Sequence, residues 1–137
     1  MSTQTKIHGV IGQEAYRSRL TMRGHTLQGD EPIENGGKDA GPTPTELVLS
    51  GLASCTLSTL RMYADKKGWN VDQIEVELRI RTTKTETGQS AEIESVISIT
   101  GAVSDEQKQR MLAIARKCPI HKILTNSIQI NSDQFNA

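Results

Sequence analysis

The sequence predicts an α+β domain with the element order β-β-α-β-β-α-β. Three observations carry that prediction. Ile74, Val76, Leu78 and Ile80 alternate with Glu75, Glu77, Arg79 and Arg81, and Ile93, Ser95, Ile97 and Ile99 repeat the pattern, as in strands with one buried face. Two other segments open with capping boxes, at Thr43–Glu46 and Ser104–Gln107, and continue with helical apolar spacing. Glycine- and proline-rich stretches separate these elements.

In chain order, residues 14–28 read as extended, with Tyr16, Ser18 and Leu20 alternating with Arg17 and Arg19 and a turn at Arg23-Gly24. His8 precedes them in a polar stretch expected to fray, and it receives no role. Residues 29–44 form a long loop, the kind that tends to carry function or to move. A helix is expected over 44–67: Thr43 caps it, Pro44 suits its first position, Glu46 closes the box and Gly68 stops it. No charge lies between Glu46 and Arg61, so the helix is expected to be buried all round as the centre of the fold. Gly88 marks the turn between the two strands. The second helix presents Met111, Leu112, Ile114 and Ala115 inward and ends near Cys118-Pro119. A turn over 120–124 leads to a last strand at 127–131 with Ile128 and Ile130 on one face.

With 137 residues the chain is expected to be one domain, 1–137. Its 16 basic and 16 acidic residues cancel, which leaves no general field for nucleic acid or an anionic membrane. No apolar run approaches the roughly 20 residues of a membrane span. The first residues lack a signal-peptide core, so a cytoplasmic setting with reduced thiols is expected. Aromatic residues are 3% of the chain (Tyr16, Tyr63, Trp69 and Phe135), which argues further against stacking on single-stranded bases. A core poor in large side chains favours burial of a second apolar face in a dimer.

The chemistry is concentrated in two cysteines. Cys55 lies in an apolar, small-residue helix. Cys118 opens Cys118-Pro-Ile-His121 beside Arg116, Lys117 and Lys122, neighbours that favour a thiolate. Two thiols and no others suit a pair that cycles between dithiol and disulfide. Against this stands the ordinary role of a free cysteine as a small buried hydrophobe. Cys118, His121, Cys55 and His25 are residue types of a zinc site, but no cysteine pair has zinc-finger spacing, and neither metal nor cofactor is expected.

Gly41-Pro-Thr-Pro-Thr-Glu-Leu47, Ser50-Gly-Leu-Ala-Ser-Cys55, Arg61-Met-Tyr-Ala-Asp-Lys-Lys-Gly68 and Cys118-Pro-Ile-His121-Lys-Ile-Leu124, in this element order, resemble the OsmC/Ohr family of osmotically induced and organic-hydroperoxide-resistance proteins. The resemblance implies an intertwined homodimer with its central helices between sheets. It also implies thiol-dependent reduction of organic and fatty-acid hydroperoxides, with no metal or bound cofactor and with an external dithiol as reductant. By position Cys55 would be the peroxidatic thiol and Cys118 the resolving one, the reverse of what local charge favours.

The family's peroxidases carry a glutamate ten residues before the cysteine and an upstream arginine that it holds. Here Thr45 occupies that place, Glu46 follows one residue later, and residues 29–44 contain no arginine. The resemblance then leaves Arg23 as the first candidate for the activating cation, ahead of Lys38, Arg17 and Arg19, with Glu46 to position it. A competing expectation is a non-enzymatic protein that binds a small apolar or electrophilic ligand near Cys55.

Overall fold

The computed structural model describes residues 2–132, so Phe135 lies outside the described residues. Contacts divide the chain after Ser50 into an N-terminal and a C-terminal compact unit. In the first, β1 (His8–Ile11), β2 (Ser18–Met22) and β3 (His25–Gly29) form an antiparallel sheet in that order. The hairpin registers Met22 against His25, and the two residues between them, Arg23 (φ 49°) and Gly24 (φ 86°), both have positive φ, as a two-residue hairpin turn requires.

The expectation of a frayed His8 is corrected here. His8 pairs with Thr21 and Ile11 with Ser18. A strand is made by its partner as much as by its own residues, and β2 offers a free edge to this polar segment.

The long loop is ordered around a buried carboxylate. Asp30, 2% exposed, accepts backbone N–H groups from Glu31 (2.8 Å), Ala40 (3.0 Å), Tyr16 and Lys38 (both 3.3 Å). The Ala40 hydrogen bond most strongly holds its carboxyl below the ordinary value, aided by the other three amides and opposed by burial. A 3-10 turn, Ile33–Asn35, lies within this loop, and a Cβ on Gly37 would collide with the Glu31 carbonyl.

Helix α1 (Pro44–Lys67) has the bounds expected from its capping signals. Thr43 Oγ1 accepts the Glu46 amide at 3.1 Å, and Glu46 Oε1 accepts the Thr43 amide at 2.8 Å. Gly68, with φ 70°, ends the helix in the left-handed conformation. Burial along α1 differs from expectation. Leu52, Thr56, Leu60 and Ala64 are buried at four-residue spacing, while Val48 and Met62 are 50% and 70% exposed. An uncharged helix surface is buried only where another element reaches it, and the buried line here is a single stripe.

In the C-terminal unit, β4 (Asn70–Thr85) and β5 (Gly88–Ala102) form one long antiparallel hairpin. Ile74 pairs with Ile99, Val76 with Ile97 and Ile80 with Ile93 on one face, while Arg79 and Arg81 meet Glu94 and Glu92 on the other. Helix α2 (Asp105–Ala115) starts at the Ser104–Gln107 capping box, and α3 (Pro119–Leu124) follows with Cys118 as its N-cap residue. Leu60, Ala64, Val71, Ile99, Met111, Ile114 and Ala115 make the core of this unit.

Residues 127–131, expected as a last strand, join no ladder among the described residues. Ile128 and Ile130 alternate as a strand should, but they are 55% and 81% exposed. Alternation alone does not make a strand where no edge receives it.

Candidate functional site: a thiol pair beside an apolar cavity

The two cysteines, distant in sequence, meet in the C-terminal unit. Cys55 projects from α1, and Cys118 caps the first turn of α3 directly after α2. Pro119 suits the first position of that short helix, since its missing N–H has no partner to lose there. Both sulfurs are free thiols, Cys55 half-buried and Cys118 fully buried, and they lie within hydrogen-bonding reach of each other. The Ile120 amide donates to Cys55 Sγ at 3.5 Å. Thr59 stands one turn further along α1 from Cys55, and Thr56 follows Cys55 directly. Thr56 also donates to the Leu52 carbonyl at 2.9 Å.

These surroundings push the two thiols apart in acidity. Burial and then the hydrogen bond with Cys118 push the Cys55 thiol up, against the Ile120 amide and the Thr59 hydroxyl, which favour the thiolate. For Cys118, burial opposes ionisation. It is outweighed by the hydrogen bond from Cys55, the His121 and Ile120 amides and the Thr56 hydroxyl, so this thiol is brought down. Sequence reasoning pointed to Cys118 as the more acidic sulfur because of its basic neighbours. The structure gives the same direction by a different route: neutral donors do it.

A cavity of about 540 Å³ adjoins the pair. Its wall is mostly apolar, with Leu52, Leu78, Ile93, Ile97, Leu112 and Leu124, and Thr56, Arg116 and His121 add polar groups. This is the size and character of a small-molecule site. Atoms of neither cysteine line it, so it flanks the thiols and does not contain them.

The other sequence-derived candidates belong to the N-terminal unit or serve local structure. Arg23 occupies the β2–β3 turn. Lys38 Nζ pairs with Glu14 at 3.1 Å, Arg17 pairs with the same carboxylate at 2.8 Å, and Arg19 pairs across the sheet with Gln28 in β3. Glu46 spends Oε1 on the α1 cap. His25 lies in β3, whereas His121 lies in α3 on the cavity wall. Among the described residues no three His, Cys, Asp or Glu side chains are grouped to hold a metal ion, and no helix is long and apolar enough to cross a membrane.

Sequence reasoning missed Thr56, Thr59 and the Ile120 amide. A signal existed for Thr59: residues four apart share a helix face, which puts it on the Cys55 face of α1.

No curated protein matches the chain. Solved structures do match its fold. An OsmC-like protein from Mycoplasma pneumoniae superposes with a TM-score of 0.71 at 20% identity, covering 91% of this chain and 89% of that one. An organic hydroperoxide resistance protein OsmC from Legionella pneumophila gives 0.70 at 21% identity, covering 89% of both chains. The organic hydroperoxide resistance protein OhrB of Bacillus subtilis gives 0.64 at 20% identity, with 88% of this chain and 90% of that one covered. The shared fold is α+β, as expected from the element order. The family model described as OsmC-like protein matches residues 36–133, most of the sequence, and the chain belongs to the OsmC-like family.

Proposed function

We propose that this protein is a thiol-dependent peroxidase for organic hydroperoxides, acting in oxidative-stress defence as a cytoplasmic homodimer of one OsmC-like domain, residues 1–137. The observation that carries the reading is the contact between a half-buried Cys55 thiol and a buried Cys118 thiol beside an apolar cavity. Neighbours named for organic hydroperoxide resistance support it through the shared fold. The apolar wall suits an alkyl chain, and the more accessible sulfur suits first contact with a peroxide.

The chemistry runs in three steps. Cys55 gives up its proton to solvent and becomes the nucleophile, its sulfur accepting the Ile120 amide at 3.5 Å. The Cys55 thiolate takes the distal peroxide oxygen and expels an alkoxide, which is protonated to the alcohol. Cys118 then attacks the Cys55 sulfenic acid, forming the disulfide and releasing water. An external dithiol returns the pair to its reduced form. No metal or bound cofactor enters. Arg23, positioned by Glu46, is the proposed cation for the thiolate, and Arg23→Ala is expected to slow the first oxidation several-fold.

The dimer is supported by apolar surface that a single copy leaves open, including Met62 at 70% and Ile130 at 81% exposure. Sedimentation is expected to give twice the chain mass.

The test is thiol loss after mixing reduced protein with one equivalent of an organic hydroperoxide. The unmutated protein should lose both thiols to a disulfide. Cys55→Ser should consume none, and Cys118→Ser should complete one turnover and leave a trappable Cys55 sulfenic acid. First oxidation abolished by Cys118→Ser alone would assign the nucleophile to Cys118. A second reading, non-enzymatic capture of a small apolar or electrophilic ligand, draws on the raised affinity of Cys55 for its proton and on Thr45 in the glutamate position. Slow or absent thiol loss with the unmutated protein would favour it.

A further inference from the structure

We infer that the external dithiol attacks the Cys55 sulfur of the oxidised pair, so that the mixed disulfide forms on Cys55 and Cys118 is the thiol expelled. The inference rests on the proposed thiol cycle and assigns the direction in which that cycle is reset.

Burial separates the two sulfurs. Cys118 is 0% exposed, whereas Cys55 keeps partial exposure. Cys118 is also tied on both sides of its backbone. Its amide donates to the Ala115 carbonyl at 3.3 Å, and its carbonyl accepts the Lys122 amide at 3.1 Å. Baring its sulfur to solvent would disturb this junction between α2 and α3. Cys55 needs no such opening. Its neighbours Ser54 and Ser58 on α1 are exposed, and one turn earlier Gly51 leaves open space where a side chain would stand.

The contact between the two segments is already made in the reduced protein. Cys55 Sγ accepts the Ile120 amide at 3.5 Å, and Ile120 lies two residues beyond Cys118, the N-cap residue of α3. The Cys55 sulfur therefore rests against the helical turn that Cys118 begins. The S–S bond closes across this contact, with Cys118 on its inner side. A thiolate arriving from solvent meets the Cys55 sulfur first, and access is one of the factors that decide which sulfur of a disulfide is attacked.

The leaving sulfur agrees with this direction. Burial opposes ionisation of Cys118, but the hydrogen bond with Cys55 and then the His121 and Ile120 amides outweigh it and bring the thiol down. The two amides remain when Cys55 is held in the mixed disulfide. Burial pushes the Cys55 thiol up, so Cys55 is the poorer leaving group.

The step balances. A thiolate of the dithiol bonds to Cys55 Sγ, the S–S bond breaks, and its electron pair goes to Cys118 Sγ, which takes a proton from solvent. The second thiol of the dithiol then attacks its own partner sulfur in the mixed disulfide. This frees the Cys55 thiolate and releases the reductant as a cyclic disulfide. Two electrons have passed from the dithiol to the cysteine pair.

The test traps the mixed disulfide. The unmutated protein is oxidised with diamide and the disulfide confirmed by intact mass. It then meets 2-mercaptoethanol for a series of short times, each stopped with excess N-ethylmaleimide. Peptide mass spectrometry should find mercaptoethanol on Cys55 and maleimide on Cys118, in about tenfold excess over the reverse pattern. Glutathione, a bulkier monothiol, should give at least the same bias. Adducts mainly on Cys118, or spread evenly, would overturn the inference, as would a protein in which diamide forms no disulfide between the two. Because diamide replaces the peroxide, a Cys55 adduct in a protein that fails to reduce hydroperoxides would keep the direction of exchange and remove the peroxidase reading instead.

Discussion

Among the described residues of the N-terminal unit the buried ones are Gly29, Asp30 and Gly37, whereas the C-terminal unit buries Leu60, Ala64, Met111, Ile114 and Cys118. One unit is organised by a carboxylate that collects backbone amides. The other is organised by aliphatic packing, and the thiol pair is set into that packing. The difference predicts how each responds to damage. A polar centre is sensitive to protonation and to the loss of a single acceptor, because each amide must then find another partner. An aliphatic centre ignores pH in this range and responds to lost volume.

The largest expected stability effect tests the aliphatic side. Leu60 is wholly inaccessible and belongs to the core cluster. Leu60→Ala should destabilise the protein by about 2–5 kcal/mol, read as a lower urea midpoint at unchanged slope. The loss should be nearly the same at pH 7 and pH 4. A strongly pH-dependent loss would break the comparison.

The second tests the polar side. Asp30→Asn leaves one oxygen and places an NH2 among amides that donate. It should increase proteolytic cutting between residues 30 and 42 at neutral pH. The sign of the pH dependence follows from the lowered folded-state pKa. Above the unfolded value of about 3.9, both states are ionised and the full stabilisation is present. It is lost as pH falls from there through the lower folded value. The unmutated protein should therefore approach the asparagine variant in acid. A gap that stays constant down to pH 2 would show that the carboxylate charge is not what orders the loop.

The smallest effects sharpen the comparison by measuring what the two units share. Thr43→Ala and Ser104→Ala each remove one hydroxyl acceptor from a capping box, and each should cost about 1 kcal/mol. Equal losses would show that local helix signals act independently of how a unit is packed. A loss confined to one cap would mean that tertiary contacts override the other.

Legibility in the sequence followed the range of the interaction. Both capping boxes, the start of α1 at Pro44 and its stop at Gly68 depend on residues within four positions, and each was readable before the fold was known. The turn at Arg23-Gly24 and the faces of β4 and β5 were readable for the same reason. Residues 8–11 and 127–131 were misjudged in opposite directions, because membership of a sheet depends on a partner edge that local alternation does not describe. Asp30 gave no local sign of its role: its four donors span Tyr16 to Ala40.

By itself, then, the sequence determined the α+β class, the limits of α1, the start of α2 and the presence of two thiols of unequal surroundings. Only the tertiary structure decided that those thiols meet, which one is buried, and which neutral groups face each sulfur. The physical reason is that capping, helix period and strand alternation are set by neighbours in the chain. The proton affinity of a thiol is set by whatever lies within a few ångströms of it. For Cys55 that includes Cys118 and the Ile120 amide, which only folding brings within reach.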